Sequence, residues 1–175
     1  MKHYIPGRPD ESEYPPYAAK YVNLVVGEDI LPTLCAQIEQ TMALLKPVDE
    51  RRASEFVYAP GKWTIKQVVG HMGDTERVFA YRALSLARND PTPLPGFEQD
   101  DWVTGGAFAE RTLASLLEEF RIARQATVAL FENLPQQAWM RPGSANKYPV
   151  TVRGLAFLCA GHEAHHVKVL REKYL

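Results

Sequence analysis

Stretches where prolines cluster separate four proline-free windows, residues 33–46, 61–90, 96–134 and 150–175. An interior proline breaks a helix, so each window has room for one helix of three turns or more. The apolar positions inside the windows agree. In the second, Val68, Val69, Met72, Phe79 and Leu86 follow helical spacing. Thr64 and Gln67 have the spacing of a reciprocal capping box, which starts that helix at Ile65, and Asn89-Asp90-Pro91 stops it. The third helix begins after Thr112, turns Leu113, Leu116, Leu117, Phe120, Leu130 and Phe131 inward, and ends before Pro135. Thr151 caps the fourth, which runs through Val152, Leu155, Leu158, Val169 and Leu170 nearly to the C-terminus. The first opens after Asp29 or Ile30, with Pro32 in its first turn.

The segment Tyr21–Val26 is β-prone, but no second run with strict alternation exists to pair with it, so no sheet is expected. Residues 89–108 read as a long ordered loop rich in proline, glycine and aromatic residues. The expected fold is therefore all-α: one domain spanning 1–175, with an irregular N-terminal arm (1–27) and a four-helix bundle (28–175).

Composition narrows the partners. A chain of 175 residues with 46% hydrophobic residues can bury one core, and a net charge of −1 gives no electrostatic footprint for nucleic acid. No stretch reaches the roughly 18 apolar residues that span a bilayer, and the first residues carry no apolar signal core, so neither export nor a membrane is expected. Cys35 and Cys159 lie in apolar runs far apart in the chain, and both read as reduced interior thiols of a cytoplasmic protein.

Three of the five histidines fall within His162-Glu163-Ala164-His165-His166. At about 100° per residue, His162 and His166 stand about 40° apart and one turn apart, so one helix face offers both imidazoles to one ion. The apolar residues of this helix centre close to the same direction, and His165 lies about 90° away at the edge of the stripe. Two imidazoles on a buried face each need a partner, and ligation of a metal supplies one for both. His3 belongs to the arm and His71 to the start of the second helix, at the edge of its stripe, so His71 is the better third ligand by elimination. Cys159 shares the face of His162 and His166 and is an alternative third ligand. The run also fits the H-E-x-x-H pattern of zinc peptidases. Val169 stands where the extended motif needs glycine, however, and the chain offers no further ligand on that face. Asp74 and Glu163 have the spacing of solvated helix carboxylates and are secondary candidates for proton transfer, while Trp63 anchors the start of the second helix.

Two segments carry a resemblance. Trp63-Thr-Ile-Lys-Gln-Val-Val-Gly-His71-Met-Gly-Asp74 and Gly161-His-Glu-Ala-His-His166 resemble the DinB-like, or YfiT-like, metal-binding four-helix bundles. Val78-Phe-Ala-Tyr-Arg82 and Pro93-Leu-Pro-Gly-Phe97 resemble a subgroup of that family, so the likeness covers about residues 20–175. It implies helices running up-down-down-up and one divalent ion held by His71, His162 and His166. It also implies a transferase of a low-molecular-weight thiol of the bacillithiol or mycothiol type, acting on an electrophilic small molecule, with a metal-dependent hydrolase or a non-catalytic metal-binding bundle as the alternatives. Homodimers are common in the family. Three imidazoles suit zinc or nickel, then iron or manganese.

Overall fold

The computed structural model of the protein describes residues 4–175. In chain order its elements are α1 (Ala19–Val22), α2 (Ile30–Leu45), α3 (Glu50–Glu55), α4 (Ile65–Ala87), α5 (Gln99–Gly105), α6 (Leu113–Glu132), a hairpin of β1 (Pro142–Ala145) and β2 (Tyr148–Thr151), and α7 (Val152–Lys173). The long helices start where short polar side chains take up free amides. Thr64 accepts from the Gln67 amide while the Gln67 side chain accepts from the Thr64 amide, completing the capping box ahead of α4. Thr112 accepts from Ser115 N at 3.1 Å ahead of α6, and Thr151 from Gly154 N at 2.9 Å ahead of α7. As expected, α2 begins directly after Asp29.

Helices α2, α4, α6 and α7 form the bundle, in which α4 packs along α6 and α7, and α2 packs along the same two. Contacts fix their directions. Gln37 and Thr41 of α2 meet Ala160 and Glu163 of α7 in the same order, so these two run parallel. Gly73 and Glu76 of α4 meet Phe120 and Arg124 of α6, again in the same order. Trp63, His71 and Phe79 meet Tyr174, His166 and His162, in reverse order, so α4 and α7 are antiparallel. The path is up-down-down-up. Because α4 and α6 are parallel, the chain must cross the length of the bundle between them, which explains the long segment that contains α5.

That segment is not a loop throughout, since α5 and a turn of 3₁₀ helix at Phe108–Glu110 lie within or beside it. The absence of a sheet is also corrected. β1 and β2 pair antiparallel, Pro142 opposite Thr151 and Ala145 opposite Tyr148, across a two-residue turn in which Asn146 and Lys147 both have positive φ. Four-residue strands holding Pro142, Gly143 and Pro149 show no alternation, so periodicity could not reveal them. The β-prone Tyr21–Val26 is instead the end of α1 and a turn, packed on α7.

The described part of the arm is tied down. Arg8 donates to Val25 O at 2.6 Å and Val22 O at 3.1 Å, and buried Glu13 takes the Thr151 hydroxyl at 2.6 Å and the Arg153 guanidinium. Glycines let it approach. A Cβ on Gly161 would stand 2.4 Å from Tyr21 O, a backbone atom that cannot swing aside. The Gly161→Ala variant is therefore expected to lose about 1–3 kcal/mol of unfolding free energy in urea denaturation and to dislodge Tyr21.

The apolar interior is divided. One cluster gathers Leu34, Leu86, Phe131, Trp139 and Phe157 with the arm and the hairpin, and a second gathers Ile38, Met72, Phe120 and Leu170 with the α2–α4 connection. Between them lies a layer of buried polar residues, Thr41, His71, Glu76, Arg124, His162 and Glu163.

Candidate metal centre

His71 projects from the second turn of α4, and His162 and His166 from successive turns of α7. Their ring nitrogens lie within 4.8 Å of one another. His162 Nε2 is 3.0 Å from His71 Nε2 and 3.1 Å from His166 Nε2. A neutral Nε2 carries either one proton or one lone pair and serves one partner, so the second nitrogen at the same distance is left in conflict. A cation among three lone pairs removes that conflict. Around a tetrahedral zinc with Zn–N of about 2.0–2.1 Å, neighbouring ligand nitrogens stand about 3.3 Å apart, close to the two separations that His162 makes here.

The surroundings keep the rings neutral. Burial pushes His71 down to about 4, against a weak pull upward from the Asp100 carboxylate. Burial, with His71 and His165 nearby, pushes His166 down to about 3, and His162 falls well below the usual range for the same reasons. No proton needs to be expelled at pH 7 before the rings can ligate. Trp63 covers His71 with ring centroids 4.8 Å apart, so besides standing at the start of α4 it walls the site, and Tyr21 and Phe79 stand edge-on to His162.

Two cavities open on the three rings. One of about 330 Å³ touches His71 and His162 and is walled by Tyr21, Phe79, Phe97 and Asn146. The other, of about 310 Å³, touches His166 and is walled by Trp63, Lys62, Asp100 and Tyr174. Gln99, at the start of α5, lines both.

The other sequence candidates fall elsewhere. His165 is half-buried against Tyr21 and outside the cluster, and His3 lies outside the described residues. Cys159 is buried near the Glu76 carboxylate rather than in the histidine group, and burial together with that charge raises its thiol well above the usual range, unlike a ligating thiolate. Cys35 is exposed on α2, which corrects its reading as an interior thiol; the apolar run around it is a helix stripe that it does not share. Asp74 is half-buried beside Arg77 at 3.6 Å, away from the rings, and burial raises its carboxyl.

Glu163 is the largest correction. It is 2% exposed rather than solvated: one oxygen accepts the Thr41 hydroxyl at 2.6 Å and the other accepts Arg124 Nη1 at 2.6 Å. Burial raises its carboxyl and the Arg124 charge opposes the rise. Its two oxygens engage Thr41 and Arg124 rather than the histidine group, which is not the placement of a zinc peptidase's base. Arg124 also forks onto Glu76, Nε to Oε1 at 2.7 Å and Nη2 to Oε2 at 3.0 Å, and donates to Leu34 O at 3.1 Å. Sequence reasoning passed over Arg124 and Glu76. The signal was present, since Glu76 stands four residues after Met72 and Arg124 four after Phe120, both on apolar stripes where a charge is out of place.

The arrangement defines a class: helical bundles in which three imidazoles from two helices converge on one point. The chain belongs to the DinB superfamily, whose sequence profile matches residues 33–170. Among solved structures it is similar to YfiT from Bacillus subtilis, described as a probable metal-dependent hydrolase with an unusual four-helix bundle topology. The TM-score is 0.66 at 19% identity, with 98% of this chain and 94% of that one covered. No curated protein matches the sequence.

Arg124→Met leaves two buried carboxylates without their cation, and a loss of about 3–5 kcal/mol in urea denaturation is expected. The neutral rings set a pH dependence. Unfolded imidazoles titrate near 6.5 but His71 near 4 and His166 near 3, so between those values the unfolded chain binds more protons. Glu163 and Asp74, whose carboxyls burial raises, work in the opposite sense and are outnumbered by the three rings. Metal-free protein should hold its full stability above about pH 7 and lose it progressively as pH falls from 6.5 toward 4. A urea midpoint that stays level over that range would contradict the burial of neutral rings.

Proposed function

We propose that His71, His162 and His166 hold one divalent ion, zinc or nickel ahead of iron or manganese, and that the protein transfers a low-molecular-weight thiol to an electrophilic small molecule. The observation that carries this reading is the pair of cavities at one cluster, one touching His71 and His162 and the other His166. A group transfer must bring two molecules to one centre by separate approaches, whereas hydrolysis needs one substrate and water.

The donor set is chemically consistent. Three neutral imidazoles with no carboxylate suit a borderline cation and leave coordination positions open, which belongs to catalytic rather than closed structural sites. The ion, when bound, lowers the pKa of a thiol or water and makes a nucleophile at neutral pH. The protein supplies the rest. α4 and α7 hold the rings on rigid backbone, Trp63 and Tyr21 restrict water around them, and Gln99 offers a neutral amide where the two approaches meet. No helix among the described residues is long and apolar enough to cross a membrane. The matching setting is a cytoplasm that keeps small thiols reduced, with the chain acting as a homodimer of the kind common in its family.

A metal-dependent hydrolase is the second reading, favoured by the likeness to YfiT, which is so described. Both readings use the same three histidines. Elemental analysis of untagged protein purified without a nickel column should find about one ion per chain, lost in His71→Ala. Parent protein that arrives empty and refuses added zinc, nickel and manganese would refute ligation. Loaded protein given monochlorobimane should consume it with one of bacillithiol, mycothiol or glutathione. Turnover of simple esters with no thiol present, and none with any thiol, would favour the hydrolase instead.

A further inference from the structure

Arg82, on the fifth turn of the bundle's α4, is 7% exposed. Three cations of the described residues are buried in this interior, and they are treated differently. Lys66 meets the Glu50 carboxylate at 2.5 Å. Arg124 meets two carboxylates. Among the described residues Arg82 meets none: its Nη2 donates to Pro95 O at 2.6 Å, and its guanidinium carbon stands 6.0 Å from the centre of the Phe79 ring. A guanidinium has five N–H donors, so most of those on Arg82 are turned toward the cavities it lines. One is the cavity that touches His71 and His162, and a neighbouring apolar hollow of about 370 Å³, bounded by Leu94, Phe97 and Trp102, reaches the same guanidinium. A buried charge without a counter-charge is expensive, and a protein that keeps one beside a reactive centre has a use for it. Burial lowers the pKa of Arg82, and the group that works against it is the Tyr17 phenol rather than a carboxylate.

We propose that Arg82 anchors a carboxylate carried by the electrophilic substrate, whose hydrocarbon part lies against Phe79 and Phe97 and extends toward Trp102. The charge balance argues for a single negative charge. Glu98 lies at the rim of the first cavity, and Asp74 in the wall of the second is paired with Arg77 at 3.6 Å. Neither carboxylate is within ion-pair distance of Arg82, and a dianion such as phosphate would face Glu98 with no second free cation among the described residues beside Arg82 in that cavity. The planar fork matches the two oxygens of a carboxylate. Assignment of this anion to the electrophile rests on the two-substrate reading above, with the thiol entering by the His166 side.

The anchor is testable without turnover. Titration calorimetry with 3-phenylpropionate and its neutral analogue 3-phenylpropanamide, on protein as purified and after EDTA treatment, should show the acid binding at least about tenfold more tightly. Arg82→Met should weaken the acid about 10- to 100-fold while metal content stays unchanged, and Arg82→Lys, which keeps the charge but not the fork, should fall between. Should Arg82→Met fail to fold, Arg82→Lys and the acid-over-amide preference of the parent carry the test. His71→Ala should keep that preference, so loss of the metal site and loss of the anion site are read separately. Equal binding of acid and amide, unchanged binding in Arg82→Met, or no binding of the acid at millimolar concentration would overturn the proposal.

Discussion

One guanidinium touches all four helices of the bundle. Arg124 projects from α6 and bonds Glu76 on α4, Glu163 on α7 and the carbonyl of Leu34 on α2. Such a layer is not an efficient source of stability, because removing three charges from water costs about as much as their attraction returns. Its effect is on geometry. Hydrophobic packing tolerates small rotations of a helix about its axis, whereas two-point hydrogen bonds between a guanidinium and carboxylates do not. Glu163 follows His162 directly in the chain, so the bond that fixes Glu163 also fixes the rotation of α7 that aims His162 and His166 at His71. The network on one side of α7 thus sets the register of the candidate metal centre on the other.

The two kinds of backbone contribute different things. Regular helices carry the three rings, and irregular segments build the space around them. Tyr21 comes from the arm, Phe97 and Gln99 from the crossing between α4 and α6, and Asn146 from the tip of the hairpin. These segments are long for connections in a compact bundle, and each is tied back by specific bonds: Leu94 to Ser144 and Asn146, Arg8 to the end of α1, Glu13 to the start of α7. A rigid cluster under variable walls is the arrangement in which one fold serves many substrates. The similarity to YfiT at 19% identity accordingly speaks for the architecture, and the substrate must be argued from the walls.

Much was legible in the chain because the relevant physics is local. Helix ends at Ile65, Leu113 and Val152 follow from threonine caps acting on amides three residues away. His162 and His166 share a face because a helix repeats every 3.6 residues, whatever surrounds it. Membership of the bundle family rode on two short segments whose order and spacing survive in sequence, and the family profile confirms it.

What the chain concealed depends on contacts between residues far apart. His71 could be named by elimination and by resemblance, and its place beside His162 comes from the antiparallel packing of α4 on α7. Glu163 looked like any helix carboxylate until Arg124, 39 residues away, gave it a buried partner. Cys35 sat in an apolar run, but helix rotation, fixed by what Leu34 and Ile38 pack against, left it in solvent. The hairpin rests on a two-residue turn and on Leu94 bridging to Ala145, neither of which has a periodic signature. Spacing along a chain governs caps and faces because those interactions span a turn or less. Burial and pairing of a polar group are decided by which other helix arrives, and that is settled when the bundle closes.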